Sequence, residues 1–437
     1  MEAILMNTAN TGIPLHLPSR LTISFWLWAL LDTGPEDVFH DLEARMIELK
    51  ERGFNCIRID SGAGLCHTAS GKPRGNILLQ KPFPGHSHLL RQLECFQGGE
   101  CNILKRLVSL FELAKRYNVQ VILSSWFYLH TFWYVDNDIN KELFDLPVEE
   151  RFNYFATALD RIISELKDRD LHNQIAFAEI FNEADGLPFT TDYQRKVQTD
   201  EKLECFRNLH EEAIAQLKEK HPDILFAYDT YTPFTEPKLI PRNSQVWNLH
   251  SYYIWPVYSV LEGNLINVNT DPTNPQNYAS IRHFLRQKLV NFEEIVRSRT
   301  GRQEVAADWC RRIWLYRNVN PKTLPELEKV LSDTLKRDAE IYKQRALEAI
   351  THATKIRNEI IPGVPMVMGE AATYCSLNSM RWEERSETYW SLLEYMMELM
   401  KEYGYWGYMP RTNSGPDDPA WTEYPKQLEY LNRKFHE

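Results

Sequence analysis

Short apolar runs recur along the chain, separated by longer stretches whose apolar residues fall at helical spacing. The runs at 21–28, 54–60, 119–125, 175–181, 224–229, 245–250, 366–369 and 405–409 each read as a buried strand. Helical spacing marks 36–52, 102–117, about 147–167 and about 200–220 between them. Eight strands alternating with helices, each strand apolar without polar alternation, predict the α/β class. The expected architecture is a closed (β/α)8 TIM barrel formed by residues 1–437 as a single domain. Two stretches break the rhythm. A loop rich in Gly, Pro, His and Ser runs from 61 to about 99. Between the sixth and seventh strands lies a far longer crossover, about 254–361, with helical patterns at about 278–299 and 325–360. This long helical insertion is expected to roof or wall a cleft at the catalytic face, or to mediate homo-oligomer assembly.

Composition narrows the partners. Hydrophobic residues make up 43% and charged residues 25%, an ordinary globular balance that can bury a large core. The net charge of -10 argues against a nucleic acid or an anionic membrane as partner. No apolar run is long enough to span a bilayer, and the N-terminal residues lack the basic start of a secretory signal, so a cytoplasmic location is expected. The 7 cysteines have no zinc-like spacing and are expected as free thiols; only Cys95 and Cys101 are near enough in sequence to bridge.

The chemistry is concentrated at two strand ends. Ile175-Ala-Phe-Ala-Glu-Ile-Phe-Asn-Glu183 and Pro365-Met-Val-Met-Gly-Glu370 each close an apolar run with a carboxylate. Side chains at the C-terminal ends of barrel strands converge. Two carboxyl groups about 5 to 5.5 Å apart are what a retaining glycosidase needs, one protonated and one nucleophilic. Glu183 is then the acid candidate, shielded beside a second carboxylate, and Glu370 the nucleophile. Either Glu alone could equally pair with an arginine at the barrel rim.

In these motifs the chain resembles the cellulase-like enzymes of glycoside hydrolase family 5 and clan A. Phe177-Ala-Glu-Ile-Phe-Asn-Glu183 is similar to the strand-four Asn-Glu motif, which implies Glu183 as acid/base and Asn182 on the sugar 2-hydroxyl. Cys56-Ile-Arg-Ile-Asp60 is similar to the strand-two segment whose arginine steadies the nucleophile, here Arg58. His250-Ser-Tyr252 resembles the strand-six His-x-Tyr, implying His250 in the sugar pocket and Tyr252 on the nucleophile. Gly369-Glu370 resembles the nucleophile motif of strand seven. A guanidinium beside Glu370 is expected to lower its pKa.

The chain also departs from that pattern. Ala184 follows Glu183 where the family usually has proline, and Asp185 comes next. Trp126 stands at the strand-three position that often holds histidine, with His130 four residues on. Trp406 is the nearest strand-eight match to the family's sugar platform, with Tyr405 and Tyr408 as the other parities. The resemblance implies a carbohydrate substrate, cleavage of β-linked oligosaccharides or glycosides by double displacement, and no cofactor. A transglycosidase, or a sugar-binding protein without turnover, are the competing readings.

Other polar residues carry weaker expectations. Glu179 shares the parity of Glu183 and is expected in a buried ion pair inside the barrel. Asp60 is expected to cap the loop that follows it. Trp26, Trp28, Trp126, Trp133, Trp255 and Trp309 are possible sugar platforms, although a tryptophan is more often core. His67, His86 and His88 have no acidic residue at ligand spacing, so no metal is expected.

Overall fold

The computed structural model describes residues 12–79, 97–126, 138–139, 142, 146–185, 199–261, 274–291, 314–373, 380–412 and 414–437. Among the described residues there are ten strands: β1 (Leu21–Phe25), β2 (Cys56–Asp60), β3 (Ile77–Leu79), β4 (Gly99–Cys101), β5 (Gln120–Ser124), β6 (Ile175–Glu179), β7 (Phe226–Thr230), β8 (Val246–Ser251), β9 (Met366–Ala371) and β10 (Gly407–Tyr408). Eight of them close a parallel barrel in the order β1-β10-β9-β8-β7-β6-β5-β2. Every residue of those eight strands is buried. Side chains facing inward fill the barrel and those facing outward meet helices, which is why the strands read as continuous apolar runs.

The helical layer comprises α1 (Leu42–Glu51), α2 (Ala63–Cys66), α3 (Ile103–Tyr117), α4 (Val148–Asp168), α5 (Asp200–Lys220), α6 (Pro256–Val260), α7 (Leu324–Arg337), α8 (Ala339–Ile360), α9 (Glu387–Glu402), α10 (Pro419–Glu423) and α11 (Pro425–His436). Local capping sets several boundaries. Helix α1 begins six residues later than the periodicity suggests, because Asp41 caps it by accepting the Ala44 N–H at 2.9 Å. Asn102 caps α3 in the same way through Lys105, and Asn118 ends α3 in the left-handed conformation at φ 51°. Strand β10 is only two residues long; Pro410, which has no N–H to donate, follows two residues after it.

Both irregular stretches have structure of their own. The loop after β2 contains α2 and the antiparallel hairpin β3–β4. In the β8–β9 crossover, 3₁₀ turns at Pro275–Phe284 replace the start of the helix expected at 278–299. The pattern at 325–360 divides at Asp338 into α7 and α8. Helix α8 packs against α9, so it belongs to the layer around the barrel, and the expected insertion at 254–361 is in this part ordinary barrel helix. No described helix is long and apolar enough to cross a membrane. The described cysteines Cys56, Cys66, Cys101 and Cys205 are free thiols, while Cys95 lies outside the described residues.

Candidate active site

At the C-terminal ends of the barrel strands the interior becomes charged. Arg58 from β2 is fully buried and spans the barrel. Its Nη1 donates to Glu370 Oε1 at 2.7 Å. Its Nη2 lies 2.9 Å from Glu179 Oε2, 2.9 Å from Asp229 Oδ2 and 2.7 Å from Asn182 Oδ1. Burying one cation is tolerable only with such compensation. The three carboxylates outweigh the burial that would lower the guanidinium's pKa, and they hold it well above its usual value. The indole of Trp126 covers the guanidinium at 4.4 Å.

Glu183 sits in the turn after β6 with φ 52°, in the left-handed region. That unfavourable conformation is held from β7: Asp229 Oδ1 accepts the Glu183 N–H at 2.6 Å, and the Asp229 carbonyl accepts the Ala184 N–H at 3.0 Å. Asp185 extends the tie by accepting the Tyr231 N–H at 2.8 Å. Burial pushes the Asp185 carboxyl up to about 7.

His250 on β8 stands between the carboxylates. Its Nδ1 is 2.9 Å from Glu183 Oε1. Its Nε2 is 3.2 Å from Asp229 Oδ2, outside hydrogen-bond alignment, and 3.6 Å from Glu370 Oε1. Burial alone would lower its pKa, but Asp229 and Glu370 reverse the sign and hold it well above the usual histidine value. The carboxylates around the ring thus favour its charged form, and Nδ1 is hydrogen-bonded to Glu183. Just beyond β8, the Tyr252 hydroxyl donates to Glu370 Oε2.

Glu370 has both oxygens engaged, by Arg58 and Tyr252. Burial nevertheless raises its pKa, with the charge of Glu183 adding to the effect; His250, Arg58 and Tyr252 only partly offset this. The expected lowering by Arg58 is thus overturned by desolvation. Beneath, Asn248 Nδ2 bridges Glu179 Oε1 at 2.5 Å and Asp229 Oδ2 at 2.7 Å. Gly369 makes room for it, since a Cβ there would meet the Asn248 side chain at 2.3 Å. Burial raises Glu179 to about 7, whereas His250 and Arg58 overcome burial to keep Asp229 below its usual value.

The structure therefore brings together Arg58, Trp126, Asn182, Glu183, His250, Tyr252 and Glu370. Glu179 makes the buried ion pair its parity suggests, and Asp60 caps its loop through the Gly62 N–H at 3.0 Å. Trp406 lies elsewhere. Its N–H bonds the carbonyl of Met366, the first residue of β9, roughly 13 Å along the strand from Glu370 at about 3.3 Å per residue. It is 0% exposed, with Nε1 on the Pro18 carbonyl. It packs the opposite end of the barrel and is not a sugar platform. His130 falls outside the described residues.

Asp229 is the residue the sequence reading missed. The available signal was its position, since an acidic residue near the end of an apolar barrel strand is the same signal that identified the two glutamates.

One ligand atom each from Glu183, His250 and Glu370 lie within 4.8 Å of one another. One oxygen of each carboxylate therefore lies within 4.8 Å of the other. The same three residues are a conceivable ligand set for a cation. Hydrogen bonds from Arg58 and Tyr252 to Glu370, and between His250 and Glu183, already engage those residues, and a metal would have to displace them.

Comparisons with known proteins agree with the barrel fold. A candidate glycoside hydrolase from Parabacteroides distasonis superposes with a TM-score of 0.61 at 16% identity, covering 95% of this chain and 93% of that one. An endo-1,4-β-D-mannanase from Thermotoga petrophila gives 0.50 at 12%, covering 95% and 99%. Thermotoga maritima Cel5A, solved with mannotriose, gives 0.50 at 13%, covering 94% and 97%. At these identities the likeness is one of fold. No curated protein matches the chain. The model of the family described as "Sugar-binding cellulase-like" matches residues 23–269, more than half of the chain, and the protein belongs to that cellulase-like family.

Proposed function

We propose that the protein is a retaining glycoside hydrolase acting on β-linked oligosaccharides or glycosides. The observation that carries this reading is the paired placement of Glu183 and Glu370. Their oxygens lie within 4.8 Å of each other and of the His250 ring nitrogen, at the C-terminal end of a barrel whose family is cellulase-like.

In the first step a Glu370 oxygen attacks the anomeric carbon and the bond to the departing oxygen breaks. Glu183 gives that oxygen its proton and is left as the carboxylate, with His250 Nδ1 2.9 Å from its Oε1. Arg58 and Tyr252 orient Glu370 and stabilise its charge before attack. In the second step Glu183 takes a proton from water, the water oxygen bonds to the anomeric carbon, and the bond to Glu370 breaks. The elevated pKa of Glu370 predicts that activity falls on the acidic side as this group gains a proton.

A second reading is carbohydrate binding without turnover. The family's sugar-binding character favours it, as does the His250 Nδ1–Glu183 Oε1 hydrogen bond at 2.9 Å, which engages an oxygen that a proton-donating Glu183 would use. Mass spectrometry after incubation with 2-fluoro glycosides, starting with gluco- and manno-configured sugars, separates the two. A glycosyl adduct on the wild type that is lost in Glu370→Gln supports hydrolysis. Tight sugar binding with no adduct and no product would replace it with the binding reading.

A further inference from the structure

Of the tryptophans, Trp26 and Trp28 are buried in the core, Trp126 covers Arg58, Trp255 donates to the Tyr252 carbonyl, and Trp133 and Trp309 lie outside the described residues. The less expected arrangement lies on the other side of Glu370, where β9 faces β10. Strand β10 pairs with β1 and β9 only through Gly407 and Tyr408, and the Met409 N–H adds one bond to the Met368 carbonyl. Pro410 has no N–H to continue the ladder. At the level of Glu370, two residues further along β9, the described residues provide no strand ladder on this side.

Arg411, Thr412 and Ser414 take its place. Toward β1, Ser24 Oγ donates to the Ser414 carbonyl at 2.7 Å, and the Phe25 N–H donates to Ser414 Oγ at 3.3 Å. Toward β9, the Thr412 N–H donates to the Ala371 carbonyl at 3.0 Å. Thr412 Oγ1 accepts the Ala371 N–H at 2.9 Å and donates to the same carbonyl at 3.2 Å. From outside, Arg411 Nη2 donates to Glu383 at 2.6 Å and to Glu384 at 2.9 Å, with all three side chains buried.

Ala371 follows Glu370 directly, and both its backbone N–H and its carbonyl end on Thr412. The next residue, Ala372, is held from β8 instead, its N–H donating to the Ser251 carbonyl at 3.1 Å. Ala372 has φ 72°, in the left-handed region that a residue with a Cβ adopts only where its surroundings impose it. Glu370 therefore stands two residues before a strained turn, and Thr412 grips the residue between. Arg58 and Tyr252 fix the oxygens of Glu370; the backbone that carries them is fixed by Thr412.

We propose that Thr412 is a positioning residue for Glu370, its hydroxyl standing in for the missing strand ladder and setting where the carboxylate meets the anomeric carbon. This rests on the hydrolase reading of the site and adds a requirement for that reaction from a residue on the far side of the nucleophile strand. Displacing a reacting atom by about 1 Å through a change outside the chemistry can cost about 10²-fold in rate.

The test is the rate at which 2-fluoro glucosides and mannosides bearing a dinitrophenyl leaving group label the protein, followed by mass spectrometry over a range of concentrations. Thr412→Val keeps the side-chain shape and removes the hydroxyl. Its maximal labelling rate is expected to fall roughly ten- to hundred-fold, with the half-saturating concentration changed by less than about two-fold. Thr412→Ser, which keeps the hydroxyl, should recover labelling to within about three-fold of the wild type. Ser414→Ala cuts the same segment on its β1 side and should lower the urea midpoint with labelling held within about two-fold. Labelling of Thr412→Val within about two-fold of the wild type would overturn the role, as would a change in half-saturation alone or an equal slowing in Ser414→Ala. Should Thr412→Val not fold, Thr412→Ala is read in the same way, and loss of the fold in both would make the hydroxyl a determinant of folding and remove the positioning role. A wild type that is neither labelled nor turns over the unfluorinated dinitrophenyl glycosides would bring down the hydrolase reading itself, before Thr412 is altered.

Discussion

Replacing Asp229 with asparagine tests whether one buried carboxylate organises both halves of the site. Its Oδ2 faces Arg58 Nη2 at 2.9 Å, Asn248 Nδ2 at 2.7 Å and His250 Nε2 at 3.2 Å; its Oδ1 receives the Glu183 N–H at 2.6 Å. All of these partners are donors. An amide has one accepting oxygen, so its NH2 group must confront either the Glu183 N–H or the other three. One frustrated buried donor costs about 1–3 kcal/mol. Removing a partner from a buried ion pair costs about 3–5 kcal/mol, reduced here because Glu179 and Glu370 still neutralise Arg58. A loss of about 3 kcal/mol in urea unfolding is expected. The sharper readout is His250. In the wild type its pKa is raised above the unfolded value, so its contribution to stability is complete below about pH 6.5 and disappears as pH rises through the folded-state value. In Asp229→Asn that value drops, and the loss moves to lower pH. Imidazole NMR of selectively labelled histidine, with His250→Gln for assignment, follows this without any substrate. A His250 titration unchanged in Asp229→Asn would refute the role given to Asp229.

Three further outcomes follow from the same geometry. Asp185, raised to about 7 by burial, is protonated in the fold at pH values where the unfolded chain is already ionised, so stability falls as pH climbs from about 4 to 7. Asp185→Asn keeps an acceptor for Tyr231 and should flatten that decline in pH-dependent melting; parallel curves would count against it. Gly369→Ala forces its Cβ against Asn248 and should cost about 1–3 kcal/mol in denaturant unfolding, whereas an unchanged midpoint would mean Asn248 has room to move. Trp406→Phe removes the donor to Pro18 from the far end of the barrel, so melting temperature should drop with sugar affinity unaltered; a loss of affinity at unchanged stability would return Trp406 to the site.

The barrel was legible because each strand is buried on both faces. Eight continuous apolar runs separated by helical spacing leave few other arrangements. The meeting of Glu183 and Glu370 was legible for a related reason, since a carboxylate ending an apolar strand has to be held by something. The errors arose where one residue's neighbours, rather than its own segment, decide its place. Trp406 resembles a platform by proximity to the last strand, but pairing of Trp406 with Met366 puts it at the opposite end. The 325–360 pattern reads as insertion by length, yet packing against α9 makes α8 part of the barrel's own layer.

The protonation state of the site was beyond the sequence for a further reason: it depends on a balance of charges from six strands and turns. Glu179, Glu183, Asp229 and Glu370 face Arg58 and His250 within one buried cluster. Gathering several carboxyl groups in a desolvated volume favours proton uptake, because burial penalises the charged form. The rises of Glu179 and Glu370, alongside the lowering of Asp229, show which groups carry that burden. Asp229 is held below its usual value because it lies against both Arg58 and His250. A sequence can show that carboxylates converge, but which of them holds a proton depends on distances of a few ångströms. In this protein that same balance separates a working acid/base pair from a sugar-binding pocket that has kept the pair.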